Sequence, residues 1–397
     1  MSTNRKDVKL QYPPSNSYLS LLLGIALCGD VNMDTILTAT DKDDASVRRL
    51  LIKAENEKDI DKHILDITRP SAQRTIFRIT PKGLETLKKG AEKPTVNVPL
   101  LKEYVASYED KPLVYAKRRN KDRTFRDARS RSITYCFLQA GVKVFPREEE
   151  PEEGTITLEK LAAKTSRNVK GSVVYYTPSK NVKGILNVPS DEFEIRLSQT
   201  DGVAETQNKD LYTVYEATDD LSPSYRSAEC DQRLLNEYSS HFEAGRANKV
   251  SSIIFCRNID QIRQLKDQKG SIKGDYLVKY YRAIYLVLKN MEGLIALRSI
   301  CEVSPETKEL LLTEKLGASH LFNKTDSKEF PLMHGETFYA VKPVLELNFL
   351  RKLSVNTAKV GVVCFERDKE VYKTIAPNAE ICILSDNEGN VTFEKKE

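Results

Sequence analysis

The chain has 397 residues, 40% hydrophobic and 30% charged, with a formal net charge of +5. That length supports two or three domains with separate cores, and the composition is that of a globular protein rather than a fibrous or disordered one. The longest apolar run, Tyr18 to Cys28, falls short of the roughly 18 residues a membrane span needs and leads into further helical pattern rather than a cleavage site. A cytoplasmic protein with no membrane partner is expected.

Residues 1–16 are polar, carry Pro13-Pro14 and are expected to form a flexible arm. A helix is predicted from Ser17 to Cys28, and a second, short one begins at Asn32 or Asp34 and runs through Thr38. Asp43-Asp44 then cap a third, whose apolar stripe is Val47, Leu50, Leu51 and Ala54. Alternating residues at 63–68 and 75–80, separated by Arg69-Pro70-Ser71, read as a hairpin. Thr80-Pro81 starts a closing helix, Thr80 as cap and Pro81 in its first turn. The expected core of this segment is Leu21, Leu22, Ile25, Ile36, Leu50, Leu51, Ile64, Ile76, Ile79, Leu84 and Leu87.

Three helices, a hairpin and a helix make a winged helix-turn-helix domain over 17–90, expected to fold alone. The string from Arg48 to Leu87 resembles the winged-helix superfamily pattern, in which R-R-L leads through a hairpin to T-P-K-G-x-x-x-L. A basic connecting segment and helix follow at 91–147, then an acidic, proline-punctuated linker at 148–154. Residues 1–147 hold 28 Lys and Arg against 18 Asp and Glu, a net +10, while the remainder holds 34 against 39. A basic front half joined to a mildly acidic back half suits a DNA-binding module attached to something else.

From residue 155 to 397 the pattern is α/β, with strands near 173–177, 211–215, 250–255, 282–287 and 360–365. Helices are expected at 228–244, 258–268, 291–301, 304–316 and 345–353. At the end, strand 359–365, helix 367–376 and strand 380–385 predict a βαβ unit with a parallel strand pair. The fold class is therefore α/β overall: an α+β winged helix followed by a mixed α/β domain with a C-terminal βαβ unit.

The third helix carries Arg48, Arg49 and Lys53 around its apolar stripe, the arrangement of a helix that reads the major groove. Arg69 and Arg74 in the wing and Arg78 on the returning strand are suited to phosphates or the minor groove, and Arg118, Arg119 and Arg123 in the basic run to tracking phosphates beside the wing. The alternative is that the winged helix docks protein or dimerises and these charges are only solvated.

Catalytic signatures are scarce. No two of the four histidines are spaced for a relaxase-type metal cluster beside a tyrosine, and the chain has neither G-x-x-x-x-G-K-[ST] nor G-x-G-x-x-G. The seven scattered cysteines include no C-x-x-C pair, and suit buried thiols rather than a disulfide framework or zinc site. No cofactor or metal is expected. A metal-dependent nuclease would draw on Asp210, Glu216 and Lys183, though Asn181 stands where a metal-binding acid would help.

The whole chain resembles a replication-relaxation-like family of plasmids and conjugative elements of Gram-positive bacteria. The resemblance rests on the winged helix, Tyr175-Tyr176-Thr177-Pro178-Ser179-Lys180, Leu211-Tyr212-Thr213-Val214-Tyr215-Glu216, Ser227-Ala228-Glu229 and Gly293-Leu294-Ile295-Ala296-Leu297. Glu216 replaces the family's asparagine, and the family's tryptophan has no counterpart in a chain without one. The resemblance implies a mobile-element role in replication or transfer. Taken with the winged helix and the missing catalytic motifs, the expected protein is a non-enzymatic accessory or initiator protein that binds duplex DNA, with homodimerisation or replication and transfer proteins as further partners. The alternatives are a transcription regulator with an α/β sensing or dimerisation domain, and the nuclease.

Overall fold

The computed structural model describes residues 17–40, 42–64, 75–98, 101–102, 105, 121–144, 175–179, 182, 200–206, 210–217, 225–242, 250–267, 281–356, 358–385 and 390–393. The protein is α/β overall, and its helices and mixed sheets fall into two compact units. The first comprises Met1–Asn168, Tyr175–Asn181 and Lys289–Leu294; the second comprises Val169–Val174, Val182–Leu288 and Ile295–Glu397.

The first unit opens with α1 (Ser17–Cys28), β1 (Val31–Asn32), α2 (Met33–Thr38) and α3 (Asp44–Asn56), followed by β2 (Ile60–Ile64), β3 (Thr75–Ile79) and α4 (Pro81–Ala91). The strands form an antiparallel sheet in the order β1-β3-β2, with Val31 opposite Phe77 and Ile60 opposite Ile79. The starts of α2, α3 and α4 each have a side-chain acceptor for an otherwise unpaired backbone N–H. Asn32 accepts from the Thr35 amide, Asp43 from that of Ser46, and Thr80 from that of Gly83 with Pro81 in the first turn.

The end of α3 follows a different logic. Lys58 adopts a positive φ of 60°, and the Asp59 amide reaches back to the Ala54 carbonyl at 2.8 Å while that of Lys58 bonds the Glu55 carbonyl at 3.0 Å. This is a Schellman closure with lysine where glycine is usual. It turns the chain early, so β2 begins at Ile60 rather than at the expected His63. Buried Asp59 then serves as a hub: it accepts from Tyr18 Oη at 2.7 Å and Thr86 Oγ1 at 3.0 Å, and its carbonyl accepts from the Thr80 amide. Gly83 passes so close that a Cβ there would lie 2.2 Å from the Asp59 carbonyl oxygen, which excludes any larger residue.

Leu21, Leu22, Ile25, Ile36, Leu51, Ile76, Ile79 and Leu87 are buried as expected, whereas Leu50 and Leu84 are only half-buried. Ile64 is a correction: it is 56% exposed, because burial on β2 is confined to the Ile60 end and Ile64 sits opposite Thr75 at the loop end of the hairpin.

Sequence placed α5 (Lys121–Gln139) in a connecting segment, yet the structure packs it against α1, α2 and β1. Tyr135 fits beneath Gly24, where a Cβ would stand 2.8 Å from its ring, and its hydroxyl lies 3.1 Å from Thr40 Oγ1. Ser132 Oγ accepts from the Asn32 amide at 3.4 Å. Beyond α5, β4 (Lys143–Val144) pairs in parallel with β5 (Tyr175–Pro178), and Phe137 stacks on Tyr176 with ring centroids 4.0 Å apart. The acidic linker predicted at 148–154 lies outside the described residues.

In the second unit, β7 (Leu211–Glu216), β8 (Ser251–Cys256) and β9 (Ile284–Leu288) run parallel, flanked by antiparallel β6 (Gly202–Glu205) and β13 (Leu345–Glu346). Helices α6 (Tyr225–Phe242), α7 (Ile259–Asp267), α8 (Met291–Glu302, which begins among first-unit residues), α9 (Pro305–Ala318) and α10 (Leu347–Val355) match those read from the sequence. A second sheet has the order β10-β11-β12-β14-β15-β16, from Asn323–Lys324, Leu332–His334, Thr337–Val341, Val360–Phe365, Glu380–Leu384 and Val391–Phe393. Its β14-α11-β15 segment, with α11 at Lys369–Ile375, is the expected βαβ unit, and Val362 pairs in parallel register with Ile381. α9 covers one face through Leu312 and Leu316, which join Phe322, Leu332, Tyr339, Val341, Val363, Cys382 and Leu384 in one core.

Lys308 is the outlying charge of this unit. Its ammonium donates to Ser299 Oγ at 2.8 Å and sits 5.2 Å from the Phe365 ring centroid. Burial, reinforced by Arg367, lowers its pKa to about 8. A folded pKa below the unfolded value means that protonation opposes folding, so the contribution of Lys308 to stability rises as pH increases from about 8 towards the ordinary lysine value. Lys308→Met should flatten that part of the stability–pH curve relative to wild type in urea titrations, and an unchanged slope would contradict the desolvated ammonium.

The role of α5 yields another expectation. A fragment ending at Ala91 should lose cooperative unfolding and bind a hydrophobic dye, whereas one ending at Val144 should melt as a unit. Equal melting of both fragments would show that α5 is dispensable.

Candidate nucleic-acid interface

The face of α3 opposite Val47, Leu51 and Ala54 is built by helical periodicity. Ala45, Arg49, Ile52 and Asn56 stand outward in one row, with Arg48 on one flank and Lys53 on the other, and all six are exposed. Asp43 anchors the start of the helix: its carboxylate accepts from the Ser46 amide at 2.8 Å and Ser46 Oγ at 2.7 Å, bonds that hold its pKa down. The Arg49 guanidinium is steadied along its own helix by Nε to the Ala45 carbonyl at 3.3 Å and Nη2 to Ser46 Oγ at 3.1 Å. Lys53 is more committed: its ammonium lies 4.7 Å over the Tyr18 ring centroid and 3.8 Å from Glu57. With Glu55 and Glu57 near the C-terminal end, positive charge concentrates at Arg48 and Arg49.

The other predicted contacts divide differently. Arg78 is a correction. Its guanidinium grips Asp30 through Nε at 2.6 Å and Nη2, leaving the side chain 16% exposed. Arg131 of α5, from the end of the basic run, joins the same carboxylate, itself 2% exposed. These two cations satisfy a buried charge, so Arg78 is not available to a phosphate. Arg123 lies on α5, while Arg69, Arg74, Arg118 and Arg119 lie outside the described residues. Sequence reasoning missed Asp30, although a lone acid directly after the apolar run of α1 was a signal. It also missed Ile52 and Asn56, which a helical projection places beside Arg49.

The carboxylates considered for a nuclease do not converge. Asp210 precedes β7 and Glu216 ends it, so six residues of extended strand put them roughly 20 Å apart. One divalent ion cannot bridge that span; Lys183 lies outside the described residues. Asp231 accepts hydrogen bonds from Tyr215 and from Tyr281, the latter at 2.9 Å, which fixes α6 to the sheet interior. Lys342 is held by Glu309 and Glu346 at 2.9 and 3.0 Å. Among the described residues no group of three or more His, Cys, Asp and Glu side chains is placed to hold a metal, and no helix is long and apolar enough to cross a membrane.

No family model, curated protein or solved structure matches the chain.

Asp30→Ala would leave two poorly hydrated guanidinium groups without their carboxylate, a change that costs about 3–5 kcal/mol when an enclosed ion pair loses one partner. Urea denaturation of the full chain should show that loss in the first unit. A loss below about 1 kcal/mol would mean that both arginines simply turn out to water.

Proposed function

We propose that the first unit is a winged helix that binds duplex DNA sequence-specifically, with α3 entering the major groove. The observation that carries this reading is the outward row of α3, with Arg49 at its centre and Arg48 beside it. Arginine is suited to this task because its fork of donors meets O6 and N7 of guanine together. The element order supports the reading: three helices, a two-stranded hairpin completed by β1, and a closing helix. Arg69 and Arg74, in the segment between β2 and β3, are the proposed wing contacts, and Arg118, Arg119 and Arg123 the proposed phosphate contacts.

The biological role we propose is that of a non-enzymatic accessory or initiator protein in replication or transfer of a mobile element. Its support is the motif resemblance described above together with the unequal charge of the two halves. A transcription regulator whose α/β unit senses a ligand or dimerises is the second reading, and footprinting on origin regions against promoters separates the two. Incubation with supercoiled DNA and Mg²⁺ or Mn²⁺ should leave the DNA intact; nicking lost in Asp210→Ala or Glu216→Ala would revive a nuclease.

Arg49→Ala should weaken binding to a selected duplex by about 1–3 kcal/mol and relax its sequence preference. Lys53→Ala should cost less and mainly lower the salt dependence, since Tyr18 and Glu57 already engage its ammonium. Fluorescence anisotropy over a salt series measures both. Wild-type affinity in the Arg48→Ala/Arg49→Ala double variant would remove α3 from the interface.

A further inference from the structure

The outward row of α3 is not uniformly polar. Ile52 stands in it between Arg49 and Asn56 and is 57% exposed, although the inner face of the same helix buries Val47, Leu51 and Ala54. A branched apolar side chain there contributes nothing to the core, and its stiffness suits it to shape-specific contact. From Arg49 to Ile52 the helix rises about 4.5 Å, comparable with the roughly 3.4 Å between successive bases of one strand. Two neighbours on one row can therefore face adjacent base pairs.

We propose that Ile52 is a specificity-determining residue that packs on the C5 methyl group of a thymine in the major groove, next to the base pair that Arg49 contacts. The assignment rests on the duplex-DNA reading above. Thymine is the one unmodified base that displays a methyl group in that groove, and apolar side chains recognise it by excluding water from both surfaces. Ala45, about two turns before Ile52, keeps the row low enough at its N-terminal end for close approach.

The test uses the full chain and a duplex selected from a randomised library. Each thymine of that duplex is replaced in turn by deoxyuridine, which removes the methyl group alone. One position should lose about fourfold in affinity, the factor supplied by burying one methyl-sized group. With Ile52→Ala that loss should vanish while penalties elsewhere persist, and Ile52→Val should retain it. Because Ile52 is exposed, the melting temperature should not move, which separates a lost contact from a lost fold. If the chain selects a sequence but no deoxyuridine penalty depends on Ile52, the assignment is overturned and the DNA reading stands. If no duplex sequence is enriched at all, the DNA reading falls and this assignment falls with it.

Discussion

The first unit depends on one buried carboxylate. Asp30 follows α1 directly, and its side chain is almost completely withdrawn from water, a position that a negative charge tolerates only when fully paired. The pairing comes from two directions, Arg78 on β3 and Arg131 on α5, so three segments remote in sequence meet at one charge. An apolar contact would tolerate sliding by a fraction of an ångström, but a hydrogen-bonded ion pair largely fixes both distance and orientation. That makes α5 an integral wall of the first unit, supported by Tyr135 beneath Gly24 and Ser132 at the Asn32 amide.

The same side-chain type serves opposite ends in this unit. Arg78 and Arg131 give up hydration to a carboxylate, while Arg48 and Arg49 keep theirs on the outside of α3. Net basicity is therefore a poor guide to a binding face, because arginines committed inward add to the count without adding accessible charge. What sets the outward pair apart is helical phase: both lie away from Val47, Leu51 and Ala54, and Asp43 fixes where that phase begins.

Features encoded by neighbours in the chain were legible from sequence. The caps at Asp43 and Thr80 declare themselves by residue type just ahead of an apolar periodicity, Asn32 does so only as one of two candidate starts with Asp34, and the terminal βαβ unit does so by two aliphatic runs around a short helix. Features set by distant partners were not. Arg78 looks identical whether it faces solvent or Asp30, 48 residues away in sequence. Ile64 reads as a core residue because strand alternation says nothing about where the covering helices stop. Lys58 closes α3 in a conformation that sequence reading looks for at glycine, so the start of β2 was misplaced. The short strands β10 and β11 are held by pairing rather than by an apolar pattern of their own. Of the candidate interface, Arg48, Arg49 and Lys53 were read correctly as exposed, whereas Ile52 passed unnoticed because attention to charge overlooks an apolar residue on a polar face.

All seven cysteines are buried thiols, two of them, Cys28 and Cys136, in the first unit and five in the second. Burial pushes the pKa values of Cys256, Cys301, Cys364 and Cys382 upward, so the reactive thiolate is scarce while the fold is intact. Each unit thus carries its own silent chemical clock. Alkylating reagents would advance it only during opening events, and peptide mapping of the labelled positions would time the breathing of the two units independently in a single sample.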